Sequence, residues 1–198
     1  MKLNKYQKSI VFGTILGDGF LQKTGLRNAR LRLEHSARQR EYIFWKYEQL
    51  KNLFADKPKY LERIHPKTKR KYAYYRLQSH SSPYFGKLQQ LFYDDQGKKI
   101  PDNITEKFQA AITLAVWYMD DGYYYGRDKS AHIYLPKLRQ TDVNKLMECL
   151  VLNFNIQAKH YSRSDRRSGQ LNITGHNRDK LFALIRPYII SSLHYKLP

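Results

Sequence analysis

Cysteine is almost missing from this chain. Its 198 residues hold a single one, Cys149, set in an apolar helical stretch as a core residue, and one thiol builds no disulfide framework. No run approaches the ~18 apolar residues of a membrane span. The apolar part of MKLNKYQKSIVFG is too short for a secretory signal. No Gly/Ser-rich linker separates one part of the chain from another. The 7 histidines show no metal-site spacing with cysteine or with one another, and there is no zinc motif, P-loop or nucleophile elbow. These absences exclude a disulfide-stapled secreted fold, a zinc finger, a P-loop NTPase and a serine hydrolase. They leave a folded protein of a reducing intracellular compartment, a bacterial cytoplasm or an organelle matrix, with no membrane partner.

Acidic residues are also scarce. Asp and Glu number 17 against 36 Lys and Arg, a formal net charge of +19. Residues 1–100 carry 22 bases against 8 acids, a net +14, and residues 101–198 carry 14 against 9, a net +5. Such an excess attracts a polyanion. The bases lie among tyrosines and strand-like stretches, which predicts a folded nucleic-acid surface and not a basic tail.

Periodicity predicts a repeat. Residues 5–18 have helical spacing, and residues 28–36 alternate, with Ala29, Leu31 and Leu33 on one side and Arg30, Arg32 and Glu34 on the other. Residues 41–54 return to helical spacing. Residues 72–79 alternate again, with Ala73, Tyr75 and Leu77 toward a core and Tyr72, Tyr74, Arg76 and Gln78 outward, and a helix follows near 82–93. The second half runs through the same order: a helix ending at Asp121, a strand near 131–135, a helix over 141–154, strands near 156–163 and 170–174, and a helix near 177–190. Lys99-Ile100-Pro101 closes the first half and Lys196-Leu197-Pro198 the second. Several elements in one order, twice, predict duplication about a pseudo-twofold axis. The units are 1–104 and 105–198.

Both motif helices end in Asp-Gly, at Asp18-Gly19 and, after AVWYMD, at Asp121-Gly122. A carboxylate at the negative end of a helix dipole costs about 0.3–1 kcal/mol. A single Asp-Gly is an ordinary turn. Two at equivalent places in a strongly basic chain point to a purpose, and a divalent cation removes the cost, since carboxylates and free helix-terminal carbonyls are hard oxygen ligands. Gly13 and Gly17 on one helix, and Ala111 and Ala115 on the other, would let the two helices approach closely. Metal at these ends suits hydrolysis of two phosphodiesters, one in each strand.

VFGTILGDG (11–19) and LAVWYMDDG (114–122) resemble the paired motifs of the LAGLIDADG homing endonucleases, in the branch that carries both motifs on one chain. The likeness covers nearly the whole sequence. It implies an α+β fold of two αββαββα units packed through their motif helices, each with a saddle-shaped antiparallel sheet on the DNA major groove. It implies a monomer that cuts a long double-stranded site with Mg²⁺, for which Mn²⁺ can substitute. The aspartate before the glycine is the family's ligand, which selects Asp18 and Asp121; Gly17 and Asp120 stand beside them in the metal site. The family also places a basic residue near each cleavage centre. Lys196 matches in the second half, and Lys98 or Lys99 in the first. In the second motif Val116 and Asp120 stand where the family often has small residues, so the helix contact is asymmetric.

The outward strand residues form the expected DNA-reading face, because a two-stranded ribbon fits the major groove. In the first half these are Arg30, Arg32, Glu34, Tyr72, Tyr74, Arg76 and Gln78. In the second they are Lys159, Tyr161, Arg163, Gln170, Asn172 and Thr174. The hairpins RIHPKTKRKY (63–72) and SDRRSG, with Arg166 and Arg167, resemble arms on the DNA backbone. His35 follows the core side of its strand and is expected to be packed or hydrogen-bonded, not a ligand. Two other readings share the scaffold: an RNA-binding group I intron maturase, with intron RNA as partner, and a DNA binder without activity. A maturase has no need of both acidic helix ends, so the nuclease leads.

Overall fold

The alternation of ARLRLEHS is realised as a strand whose odd positions are buried and whose even positions face away, and the rest of the first half assembles around it. In the computed structural model, which describes residues 2–162 and 169–198, the chain starts with α1 (Lys5–Leu16). Asn4 and Gln7 exchange side-chain-to-backbone hydrogen bonds at its entry, 2.8 and 3.3 Å, a reciprocal cap that satisfies two orphan donors. Then come β1 (Phe20–Lys23), β2 (Ala29–Ser36), α2 (Arg40–Gln49), β3 (Lys59–Ile64), β4 (Lys71–Gln78) and α3 (Pro83–Phe92). The four strands form an antiparallel sheet in the order β1-β2-β4-β3.

A short hairpin, β5 (Tyr93–Asp94) and β6 (Gly97–Lys98), and α4 (Ile104–Lys107) lead to α5 (Ala111–Asp121). After it follow β7 (Gly122–Tyr125), β8 (Ser130–Leu135), α6 (Gln140–Phe154), β9 (Lys159–Ser162), β10 (Gly169–Thr174) and α7 (Gly175–Ile185). Their sheet has the order β7-β8-β10-β9, the same path as the first. The fold is therefore α+β with two antiparallel sheets of equal topology; α5 ends at its motif aspartate Asp121, and α1 ends two residues before Asp18.

Packing divides the chain differently from the element repeat. One compact unit holds the described residues up to Gln7 together with Asp18–Gln89, and the other holds Lys8–Gly17 with Gln90–Pro198. In the first unit Leu21, Leu31, Leu33 and Leu77 from the sheet bury against Tyr42, Ile43 and Tyr47 of α2 and Phe85 of α3. Gly86 is required there, because a Cβ would run into the Arg27 carbonyl. In the second unit every residue of α5 from Ile112 to Met119 is buried, since sheet residues such as Ala131, Ile133, Leu171 and Ile173 cover one side and most of α1 another. Cys149 lies in this core, fully buried, and burial pushes its thiol up to about 11.

The small residues that let α1 approach α5 are not symmetric. A Cβ on Gly13 would sit 2.5 Å from the Thr113 carbonyl oxygen and 2.8 Å from Val116 Cβ, and one on Gly17 would sit 2.5 Å from Asp120 Cβ. The nearest atoms thus come from Thr113, Val116 and Asp120 and not from the expected Ala111 and Ala115. Gly13 and Gly17 leave room that a side chain would fill.

β1, β3 and β7 were not marked by alternation, though the αββαββα order implies them, and the pair β5/β6 lies beyond that order. Three expected helices end early, the first of them, expected over 5–18, at Leu16. The one expected over 41–54 stops at Gln49 and continues as a 3₁₀ turn over Lys51–Leu53, and the one expected to 190 stops at Ile185, just before the Arg186-Pro187 step that disfavours a further α-turn.

Candidate metal and nucleic-acid site

The ends of α1 and α5 carry the same construction. Leu16 and Gly17 precede Asp18, and Met119 and Asp120 precede Asp121. Carbonyls at a helix C-terminus lack intrahelical partners. At the first end the Lys98 ammonium donates to the carbonyls of Leu16 and Gly17, at 2.9 and 3.0 Å. At the second the Lys196 ammonium donates to those of Met119 and Asp120, at 2.6 and 3.2 Å. In each half a lysine occupies the two carbonyls directly before the motif aspartate. The cost of a carboxylate on the negative helix end is offset here by a cation of the chain itself. Lys98 is delivered by β6, where it pairs across to Tyr93. Lys99 is placed differently: its backbone N–H donates to the Phe92 carbonyl, 2.8 Å. Lys196 is 6% exposed, and its own carbonyl accepts from Tyr118 Oη at 2.8 Å.

The aspartates differ in surroundings. The Asp18 side chain is 42% exposed, and its Oδ2 lies 3.6 Å from Nδ1 of the buried His35. The other ring nitrogen, Nε2, is 3.3 Å from Nζ of Lys46. His35 is thus buried between Asp18 and Lys46, and beside Asp18 it is itself a candidate metal donor, which its place in the strand pattern did not suggest. Asp120 and Asp121 are both half-buried at the end of α5. The Asp120 Cβ fills the space a side chain at Gly17 would need.

The donor set fits a divalent cation in part. Asp18 and Asp121 offer carboxylate oxygens, the hard ligands that Mg²⁺ and similar ions take. The Gly17 carbonyl, expected as a ligand, already accepts the Lys98 hydrogen bond. A carbonyl has a second lone pair, but here it is committed first to the ammonium.

The sheet faces carry the expected nucleic-acid residues in register. On the first sheet Arg32 is opposite Gln78, Glu34 opposite Arg76, and Arg63 opposite Tyr72, so all project from one face with Arg30 and Tyr74. They are tied together. Arg32 Nε and Arg76 Nε both donate to Glu34 Oε1, at 3.0 and 2.6 Å. Arg76 also reaches Tyr74 Oη at 3.0 Å, and Arg30 Nε donates to Gln22 Oε1 at 3.0 Å. Partial burial would raise the Glu34 carboxyl, but hydrogen bonds from Arg32 and then Arg76 outweigh it and hold Glu34 below the usual carboxylate range.

On the second sheet Gln170 pairs with Tyr161, and Asn172 with Lys159, on the same face as Thr174. That face is aromatic. Tyr123, Tyr125, His132 and Tyr134 share it by register. Tyr125 and Tyr134 join through their hydroxyls, and the Tyr125 and His132 rings lie 4.5 Å apart. Burial pushes the His132 imidazole below its ordinary value, against smaller opposing effects of Gln170 and Asp128. Tyr123 and Tyr125 were missed because β7 carries no alternation of its own, and His132 and Tyr134 because the outward side of β8, a strand the sequence did mark, was not read. Gln22, Lys59 and Arg63 were missed as outward residues because β1 and β3, like β7, carry no alternation. Arg163, Arg166 and Arg167 lie outside the described residues.

Residues 8–181 match the LAGLIDADG DNA endonuclease family. Among curated proteins the chain is similar to the DNA endonuclease I-ChuI of Chlamydomonas applanata, 26% identical over 210 residues, covering 100% of this chain and 96% of that one. It is also similar to the cytochrome b mRNA maturase bI2 of Debaryomyces hansenii, 26% identical over 200 residues, covering 98% and 74%. Among solved structures the homing endonuclease I-WcaI bound to its DNA recognition sequence shares the fold, with a TM-score of 0.89 at 24% identity, covering 100% of this chain and 88% of that one.

Proposed function

The chain belongs to the LAGLIDADG DNA endonuclease family, and we propose that it is a monomeric, site-specific endonuclease that hydrolyses one phosphodiester in each strand of a long double-stranded DNA site. The observation that carries this reading is the doubled helix end: a motif aspartate, preceded by two carbonyls held by a lysine, in both halves. A chain built only to bind a polyanion gains nothing from two carboxylates placed where they repel phosphate.

In this reading Asp18 and Asp121 would hold divalent metal, Mg²⁺ with Mn²⁺ as a substitute. Bound there, the cation lowers the pKa of water and stabilises charge on the phosphate oxygens. Lys98 and Lys196 fix the backbone on which each aspartate is carried and set positive charge beside the phosphate. Lys98, not Lys99, is the first-half lysine, since its ammonium matches Lys196 carbonyl for carbonyl. Asp120 supports the second end from beside Asp121. The outward faces of the two sheets bind DNA, the first through held guanidiniums and the second through amides, tyrosines and Lys159. The compartment is intracellular. Among the described residues no helix is long and apolar enough to cross a membrane.

Likeness to a maturase supports a second reading, binding of intron RNA on the same scaffold. One experiment separates the two. Purified protein is incubated with a DNA library of randomised long inserts in Mg²⁺, in Mn²⁺ and in EDTA, beside Asp18→Asn and Asp121→Asn. The nuclease predicts metal-dependent cuts at one recurring sequence, loss of cutting in each variant by at least about 100-fold (some 2.7 kcal/mol of barrier), and nearly unchanged DNA binding. Full cutting by Asp18→Asn, or no cutting with tight binding to intron RNA, overturns it.

A further inference from the structure

The two halves support their motif aspartates differently. His35, the seventh residue of β2, is 2% exposed and turns its Nδ1 toward Asp18 Oδ2 at 3.6 Å. Behind it, 3.3 Å from Nε2, stands Nζ of Lys46 on α2, a side chain with no solvent exposure. The Lys46 ammonium also lies 4.4 Å from the centroid of the Tyr42 ring. A buried charge of this kind costs several kcal/mol unless it is compensated, and here the ring face and the imidazole contribute to that compensation.

The second half shows what this fold does without the pair. Leu21 pairs with Leu31 in the first sheet and Tyr124 with Ala131 in the second, three residues after Asp18 and Asp121 respectively. The register therefore sets His35 against Leu135. α2 begins at Arg40 and α6 at Gln140, so Lys46 falls against Leu146. Both leucines are buried, at 3% and 1% exposure. An apolar pair fills these positions in one half, so packing alone does not call for the polar pair in the other.

An ammonium only donates hydrogen bonds. A Lys46 ammonium that donates to Nε2 leaves the ring proton on Nδ1, facing Asp18. At 3.6 Å the contact is a charge–dipole attraction, longer than a hydrogen bond. We propose that His35, its tautomer set by Lys46, is a positioning residue for the Asp18 carboxylate, so that the cut served by Asp18 depends on a device the cut served by Asp121 lacks. The inference rests on the nuclease reading for its consequence, but not for the contact itself.

Two measurements test it. The first needs no cleavage. In ¹⁵N-histidine-labelled protein, His35 should show the Nδ1–H tautomer, Lys46→Leu should release it to a mixture, and Asp18→Asn should shift the Nδ1 resonance. An Nε2–H ring in the wild type overturns the proposal, even if the protein cuts nothing. The second uses target DNA labelled separately on each strand. The double variant His35→Leu, Lys46→Leu copies the second half and should fold. It should slow one strand, the one that Asp18→Asn also slows, by about 10- to 100-fold, with a singly nicked product accumulating and DNA affinity unchanged. His35→Asn, which restores a donor near Nδ1, should recover much of that rate, and His35→Gln, whose amide falls nearer Nε2, should not. Equal slowing of both strands, or equal rescue by Asn and Gln, overturns the positioning role. A wild type that cuts neither strand refutes the nuclease reading instead and leaves the tautomer result to decide the contact.

Discussion

The Lys196 ammonium donates to the Met119 carbonyl at 2.6 Å, and this bond answers why so basic a chain ends an apolar helix in two carboxylates. The C-terminus of α5 collects a helix dipole, two aspartates and unfilled carbonyls in one place. Lys196 sets positive charge at this end and donates to two of its carbonyls, and Lys98 does the same for α1. Lys196→Met and Lys98→Met each leave two helix-end carbonyls short of a donor, which costs about 1–3 kcal/mol. Lys99→Met, whose ammonium is not on these carbonyls, should stay within about 0.5 kcal/mol of wild type. Urea unfolding of the three variants checks this. A Lys99→Met loss as large as that of Lys98→Met would remove the argument for Lys98 as the partner of Lys196.

Gly17 and Asp120 occupy equivalent places in the two motifs, and only one of the two can carry a side chain. Gly17→Ala drives a methyl group to 2.5 Å from Asp120 Cβ, far inside contact distance, and overpacking of this kind costs about 1–3 kcal/mol. Asp120→Gly alone removes a half-buried side chain and should also destabilise. The double variant exchanges the clash for the reverse arrangement and should recover at least about 1 kcal/mol of the summed losses, as residues in direct contact do. Strict additivity in the thermal or urea data would mean that α1 and α5 move apart to absorb the methyl group.

Much of this was legible in the sequence, and the gaps have physical causes. Residues 28–36 announced a strand because one face is buried and the other is not. Residues 59–64 did not, since β3 is an edge strand with five of its six residues exposed, and a strand wetted on both sides leaves no period. β1 and β7 are four residues each, too short to alternate recognisably straight after a helix. The motif aspartates were legible because their oddity is chemical. The choice between Lys98 and Lys99 was not, as it depends on the Tyr93–Lys98 hairpin pairing and not on spacing. Lys46 did leave a signal. It stands three residues after Ile43 and four before Leu50, on the apolar face of its helix, where a lysine is out of place unless it is paired.

Glu34 links stability to pH and to DNA binding. Its folded-state carboxyl is held below its ordinary value by Arg32 and Arg76, against the opposing effect of burial. The unfolded chain therefore takes up a proton first as pH falls. The stabilisation is complete above the ordinary carboxylate pKa of about 4.3 and is lost as pH drops through the lower folded value. Glu34→Gln should be less stable than wild type near pH 7, and the gap should close as pH falls through the lowered folded value; urea midpoints from neutral to acid pH measure it. The same change should act oppositely on binding. With the shared acceptor neutral, Arg32 and Arg76 face phosphate with more net charge, and the slope of log affinity against log salt should steepen by about 0.9 for each additional phosphate the face neutralises. A variant that is less stable yet binds with an unchanged slope would show that both guanidiniums stay committed to the sheet and that Glu34 does not set the charge the face presents to DNA.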